Sequence, residues 1–346
     1  MVLSIIIPSY NHERFVVSAI QAAARIDVQD KELIVIDDGS SDASASVIRE
    51  YIATKGKGSN IRLIARENRG LVKTLNEGLS IARGKYFYLV ASDDIPIAEG
   101  ICSLVNHLEE NGDLQFALGN ALIMESEYQR EFKPAYGEAH QRFFTLPYQR
   151  RRKEMFLRYP QPIFLQATVF RTSALKDIGG WREDIISDDF SLFLRLFFQL
   201  RNVGKDFAYQ PEAMTCFYRR HEANVSRSLE RQFMTTDQAL THLCPPEWQD
   251  AAYLRNFADH AIVAVRRGKI FLTVRFFRTT VAHIGLLRWL LAVGPALVTS
   301  LMTILSGRLG HKADVVIAHE PPATAMDYPT DRSCDSVVPD SVQVCR

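Results

Sequence analysis

The first hundred residues alternate between continuous apolar runs and stretches of helical period. Val2 to Ile7, Glu32 to Ile36 and Lys85 to Ala91 are unbroken runs rich in β-branched and aromatic residues, the pattern of strands covered on both faces. Ile61 to Ala65 reads as a fourth. Between them, Glu13 to Arg25, Asp42 to Thr54 and Leu71 to Ala82 carry helical patterns, the last closing at Gly84 as a C-cap. Strand and helix follow one another at βαβ spacing, which predicts an α/β fold with a mostly parallel central sheet flanked by helices. Further on, Ile163 to Phe170 reads as a strand. Asp188 to Arg201 reads as a helix with Ser191, Arg195 and Gln199 on its polar side and Phe193, Leu196, Phe197 and Leu200 toward the core. Glu125 to Arg158 is polar, aromatic and basic, so loops and short helices are expected, with Arg150-Arg151-Arg152-Lys153 as a solvated face.

The pattern changes after Ser228, becoming helical and then basic. No acidic residue occurs between Asp259 and Asp314, while Arg266, Arg267, Lys269, Arg275, Arg278, Arg288, Arg308 and Lys312 all carry positive charge. Ile270, Val274, Phe277, Val281 and Ile284 recur beside them at helical spacing. Trp289 to Gly307 follows without a charge, and its length approaches a membrane span, although Gly294-Pro295, Thr299, Ser300 and Thr303 weaken that reading. A basic amphipathic helical region lying on an anionic membrane surface through residues 266–312 is preferred over a buried hairpin or a true span. From Glu320 the chain is rich in Pro, Asp, Ser and Val without helical period, and residues 313–346 are expected to form a disordered tail.

Composition narrows the function classes. With 346 residues, 47% hydrophobic and 23% charged, the chain suits one large domain with an appendage, or two domains. A net charge of +1 supplies no global field for nucleic acid. The cysteines are scattered and lack a C-x-x-C pair, which argues against a zinc site or disulfide framework and for a reducing, cytoplasmic setting. The N-terminus opens directly on a strand pattern, so no cleaved signal is expected.

The candidate chemistry lies where apolar runs end. Asp93 and Asp94 follow the run Tyr86 to Ala91. Acids beside low-dielectric surroundings need a compensating cation or hydrogen bonds, and open parallel sheets take their ligands just beyond the carboxyl ends of their strands. A turn capping the next helix explains Ser92-Asp93-Asp94-Ile95-Pro96 equally well. The second strand, however, exits through Asp37-Asp38-Gly39-Ser40-Ser41-Asp42, which places another acidic pair at the same edge. One carboxylate that accepts hydrogen bonds from a base or ribose and another that ligates a metal would suit a nucleoside diphosphate.

Taken in order, several segments resemble the family-2 glycosyltransferases across roughly residues 1–225. These are Ser4-Ile5-Ile6-Ile7-Pro8-Ser9-Tyr10-Asn11, Glu32 to Asp42, Asn68-Arg69-Gly70, Leu75-Asn76-Glu77-Gly78, Gly84-Lys85-Tyr86, Ser92-Asp93-Asp94, Gly179-Gly180-Trp181, Asp188-Asp189 and Tyr218-Arg219-Arg220-His221. The resemblance implies an A-type glycosyltransferase fold with a Rossmann-like nucleotide-binding half. It further implies a nucleoside-diphosphate sugar donor, expected to be uridine-linked, a divalent metal (Mn²⁺ or Mg²⁺) and inversion at the anomeric carbon. The implied organisation is a catalytic domain over 1–228, with a donor half at 1–124 and an acceptor-side half at 125–228, followed by the helical basic region at 229–312. On the matching positions, Asp38 is expected at the base with Pro8 and Tyr10 lining the nucleotide pocket. Asp93 is expected at the ribose, and Asp94 with His221 at the metal. Arg219 and Arg220 would meet phosphate oxygens. The stretch after Gly70 departs from members with an Ala-Arg-Asn triplet, because Thr74-Leu75-Asn76 stands there, and Arg66 or Lys73 is the expected substitute for the missing arginine. The pair Asp188 and Asp189 stands where the family usually has Glu-Asp, with Asp189 as general base.

The expected role is therefore surface-polysaccharide or glycan assembly on a glycan or lipid-linked glycan acceptor, peripheral to the inner face of the cytoplasmic membrane. Two rivals remain. A non-catalytic nucleotide-sugar-binding scaffold would bind the donor without turnover, and a nucleotidyltransferase would want a glycine-rich basic loop that Pro8 to Arg14 does not offer.

Overall fold

The computed structural model describes residues 2–56, 60–126, 128–221 and 228–291. The first half contains β1 (Leu3–Ser9), α1 (Val16–Ala24), β2 (Lys31–Asp38), α2 (Ser44–Thr54), β3 (Ile61–Arg66), α3 (Leu71–Ile81), β4 (Tyr86–Leu89), β5 (Ile95–Pro96), α4 (Ala98–Glu110) and β6 (Phe116–Met124). The second contains β7 (Lys133–Pro134), α5 (Glu138–Thr145), α6 (Tyr148–Leu157), β8 (Thr168–Arg171), α7 (Thr172–Asp177), α8 (Asp189–Gln199), β9 (Ala208–Arg219), α9 (Leu229–Leu243), α10 (Pro246–Arg266) and α11 (Ile270–Ile284).

The sheet runs β3-β2-β1-β4-β8-β6-β9-β5, with β7 on β6. β3, β2, β1 and β4 are mutually parallel, as the βαβ spacing predicts. Beyond β4 the sheet is mixed: β8 is antiparallel to β4 and β6, while β9 is parallel to β6 and antiparallel to β5. The continuous runs are explained by burial on both faces. Leu3, Ile5 and Ile7 join the core cluster containing Val16, Ile20, Ile101 and Leu104. On the other face, Gly78 of α3 sits so close to Ile6 that a Cβ there would lie 2.7 Å from its Cγ2. Because the chain lays down β1, β2 and β3 in one direction and then adds β4 on the opposite side of β1, the gap between β1 and β4 is a topological switch point.

Three local expectations are corrected. Gly84 is not a helix cap, since α3 ends at Ile81 with Ala82 already extended. Gly84 instead permits close approach to β1, where a Cβ would meet Ser4 N at 2.4 Å. Ile163 to Phe170 is strand only from Thr168; before it lies a 3-10 turn, Leu165–Ala167, closed by Ala167 N donating to Phe164 O at 3.2 Å. The basic run at 150–153 is not wholly solvated. Arg151 is buried, donates to Leu146 O at 3.1 Å and lies 5.6 Å from the Phe207 ring, while Arg152 stacks 5.0 Å from Trp248.

Residues 1–283 form one compact unit and 284–346 a second. Within the first, Leu229, Phe233, Ala264 and Phe276 build the core of α9, α10 and α11. In the second, the described residues are 284–291, so most of the uncharged stretch to Gly307 and the expected tail lie outside them. Among the described residues, no helix is long and apolar enough to cross a membrane.

Candidate active site

The switch point brings three segments together. β1 exits through Tyr10, Asn11 and His12, and Asn11 staples this loop to the β2 exit by accepting from Ser41 N at 2.8 Å and donating through its own N to Ser40 Oγ at 2.9 Å. Asp37 holds the same loop, accepting from Ser40 N and Oγ at 3.1 and 2.6 Å. His12 is thereby directed at the β4 exit, with Nδ1 2.8 Å from Ser92 Oγ and Nε2 3.9 Å from Asp93 Oδ2. The third segment follows β9, whose pairing with β5 carries His221 to Asp93, Nε2 to Oδ2 at 2.9 Å. One ligand atom from each of His12, Asp93 and His221 lies within 4.8 Å of the others.

The electrostatics suit ligation. Burial lowers the His12 pKa more than the nearby Asp93 raises it, favouring the neutral imidazole that ligates metals. Burial opposes ionisation of Asp93, but the hydrogen bond to His221 and the charge of His12 outweigh it and hold the carboxyl below its usual range. Two imidazoles and one carboxylate make a mixed nitrogen and oxygen donor set, which fits a divalent transition ion better than Mg²⁺, a cation that prefers oxygen. His12 was not among the expected ligands. Its only sequence signal is a position just past the first strand at the switch point.

Asp94 faces the other way. Its Oδ2 accepts from Gln166 Nε2 and its Oδ1 from Arg219 N, both at 2.9 Å, and burial together with the Asp93 charge pushes its pKa well above the usual range. Asp94 was expected at the metal and Asp93 at the ribose; in this structure it is Asp93 whose carboxylate lies between the two imidazoles. Asp93 meets the imidazoles, while Asp94 is bonded to Gln166 and to the backbone of Arg219. Arg219 lies against Phe15, 4.7 Å from guanidinium carbon to ring centre, and Arg220 pairs with Glu125 at 3.2 Å.

At the end of β2, Asp38 Oδ1 accepts from Arg69 N at 2.8 Å and from Arg66, and Oδ2 accepts from Gly70 N at 2.9 Å. Arg66 also donates to Glu77 at 2.7 Å and Thr74 at 2.8 Å. These bonds shape the loop into α3, where Gly70 takes φ +86°, a conformation costly for any side chain. Lys73 is exposed on α3, Pro8 is half-buried and Tyr10 is 49% exposed at the β1 exit.

At the start of α8, Asp188 and Asp189 lie in a cleft of about 180 Å³ lined also by Tyr159, Pro162, Gln232 and Thr235. Burial, then the charges of Asp188 and Asp94, push Asp189 well above the usual carboxyl range, against a hydrogen bond from Leu165 N. Burial also raises Asp188. Consecutive residues tie this cleft to Asp94: Leu165 N donates to Asp189 and Gln166 Nε2 to Asp94. A larger cleft of about 320 Å³, lined by Leu194, Phe198 and Cys244 among others, includes none of these carboxylates.

The glycosyl transferase family 2 model matches residues 4–179. The chain belongs to this family. Among curated relatives, the poly-β-1,6-N-acetyl-D-glucosamine synthase of Staphylococcus epidermidis is 25% identical over 218 residues, covering 61% of this chain and 48% of the relative. The uncharacterized glycosyltransferase EpsJ of Bacillus subtilis is 32% identical over 145 residues, 42% of this chain and 40% of the relative. This family-2 chain therefore spans about half or less of the length of those relatives. Two solved structures share its fold. One is S. aureus TarS 1-349 in complex with UDP-GlcNAc, with a TM-score of 0.51 at 18% identity, covering 75% of this chain and 81% of TarS 1-349. The other is the mannosyltransferase PcManGT from Pyrobaculum calidifontis in complex with GDP-Man and Mn²⁺, with a TM-score of 0.54 at 15% identity and 88% and 87% coverage. At these identities the likeness concerns the fold, which is the A-type arrangement the sequence resemblance implies.

Proposed function

We propose that this chain is an inverting glycosyltransferase that moves a sugar from a uridine-linked nucleoside diphosphate to a hydroxyl of a glycan or lipid-linked glycan. The observation that carries the reading is the convergence of His12, Asp93 and His221 at the switch point, with the β2 exit loop bonded to Asn11 and the pair Asp188 and Asp189 linked to Asp94 through Leu165 and Gln166. His12, Asp93 and His221 would hold a divalent cation, Mn²⁺ in preference to Mg²⁺, which would supply positive charge against the diphosphate. Tyr10 and Pro8 flank the nucleotide, and Asp38 orders the loop that receives its base. The acceptor oxygen attacks the anomeric carbon as the bond to the diphosphate oxygen breaks, and Asp189 takes the hydroxyl proton. A base with a raised pKa is better matched to that proton than an ordinary aspartate. The synthase among its relatives supports a role in polysaccharide assembly.

The test is donor turnover with Mn²⁺ or Mg²⁺ present, by hydrolysis or by transfer to oligosaccharide acceptors. Asp93→Ala and Asp189→Asn should each lower turnover by roughly 100-fold or more, with donor binding kept in Asp189→Asn. Tight nucleotide binding by the wild type with no turnover under any metal would instead favour the scaffold reading.

A further inference from the structure

The turn between α10 and α11 presents an outward apolar surface ringed by cations. α10 ends at Arg266, Gly268 takes φ +68° to reverse the chain, and α11 starts at Ile270. Ala264, Leu272 and Phe276 of this hairpin pack inward against Phe233 of α9. The opposite side is solvent-facing: Ile262, Val265, Ile270 and Val274 are all exposed, and Phe271 is 93% exposed. Arg266, Arg267 and Lys269 are exposed within the same turn, and Arg278 one helical turn beyond Val274. Apolar side chains are normally left to water singly, and a contiguous group led by an aromatic marks a contact surface.

We propose that this hairpin tip docks on an anionic lipid surface, with Phe271 and Ile270 entering the headgroup boundary and Arg266, Arg267 and Lys269 meeting lipid phosphates. The charge argument selects the occupant. Arg275 is paired with Glu230 and Arg255 with Asp259, so acids lie at the border of the patch. No acid occurs in sequence from 260 to 313, however, and the charges of the turn itself, Arg266, Arg267 and Lys269, share one sign beside the apolar centre, the pattern of interfacial helices. Docking of this kind would hold the chain beside a lipid-linked acceptor, but it does not depend on the transferase reading, because it is measured without donor or metal.

The experiment is co-sedimentation of the full chain with phosphatidylcholine vesicles and with vesicles that also contain phosphatidylglycerol. Binding is expected only to the second kind and is weakened by salt. Replacing Arg266, Arg267 and Lys269 together by Gln should reduce partitioning on the order of 100-fold, about fivefold for each cation. Phe271→Glu should abolish it. Phe271→Trp supplies an independent readout that leaves the fold untouched, a blue shift in emission on adding anionic vesicles, relative to wild type. The proposal is overturned by equal binding to both vesicle types, by binding to neither, by wild-type binding in the tip variants, or by no emission shift in Phe271→Trp. It is also overturned if Phe271→Glu changes the oligomeric state without vesicles, which would make the face a contact between copies.

Discussion

Asp93 and Asp94 are neighbours in sequence with different surroundings, one among imidazoles and one bonded to Gln166 and the backbone of Arg219. The apolar run before them locates the pair at the sheet edge, but which acid faces the ligand depends on the turn in which Asp94 N donates to Ala91 O at 3.1 Å, and residue pattern carries no such register. His12 was illegible for a related reason: a lone histidine in a turn becomes a candidate ligand only when the chain after β9 brings His221 close to it. Asp188 and Asp189 were legible as a pair, and their environment now gives a testable pH dependence. Burial and the like charge of Asp188 raise the Asp189 pKa, so this carboxyl stays protonated at pH values where an ordinary aspartate, near about 3.9, is ionised. As the proposed general base, Asp189 must be ionised, so activity should fall as pH drops through that raised value, placing the acid limb of the kcat/KM profile above the ordinary carboxyl range. Asp188→Asn removes the like charge and should move the limb to lower pH. An unmoved limb would mean that another group controls it.

Elements of the first 110 residues were readable because β1, β2 and β4 are buried on both faces and the helices between them pack one face, while β3 at the sheet edge is only partly covered. Elements beyond residue 125 were less so, because their conformation depends on distant partners. The 3-10 turn at Leu165–Ala167 delivers Gln166 to Asp94, and the cations at 151 and 152 are packed by Phe207, Phe198 and Trp248. α4 is the element on which the site's geometry leans. It follows β5, which anchors the Asp93–Asp94 loop to β9, and it packs on β9 so closely that a Cβ at Gly100 would lie 1.8 Å from Met214 O. The obstacle is backbone within the sheet and has no rotamer to escape into. Gly100→Ala should therefore cost roughly 3 kcal/mol or more in urea unfolding, at or above the usual range for overpacking. Gly112→Ala, where nothing lies within 4 Å, should change stability by under about 1 kcal/mol and serves as the control. Equal effects of the two would mean that α4 can shift on the sheet without loss.

At the scale of the whole molecule, the composition change near Ser228 suggests an appendage, yet residues 229–283 share one compact unit with the sheet. The contacts that join them bear on the site. Gln238 of α9 accepts from Ile186 N and donates to Asp184 O, both at 2.8 Å, clamping the segment that leads into Asp188 and Asp189. Gln232 and Thr235 of the same helix line the acceptor-side cleft. A clamp joining residues about fifty positions apart leaves no trace in local pattern, which is why the helical region reads as separate from the catalytic half. Gln238→Ala releases two backbone groups of the 184–188 loop without touching the nucleotide side. Loosening a base by even an ångström costs rate far more than it costs binding. The variant should therefore lower kcat on the order of tenfold at unchanged donor affinity, with stability reduced by about 1 to 2 kcal/mol for the lost hydrogen bonds. Steady-state kinetics beside calorimetric donor binding separates the outcomes: a matching loss of donor affinity would show that α9 supports the fold in general, and unchanged kcat would show that the loop is held by other contacts.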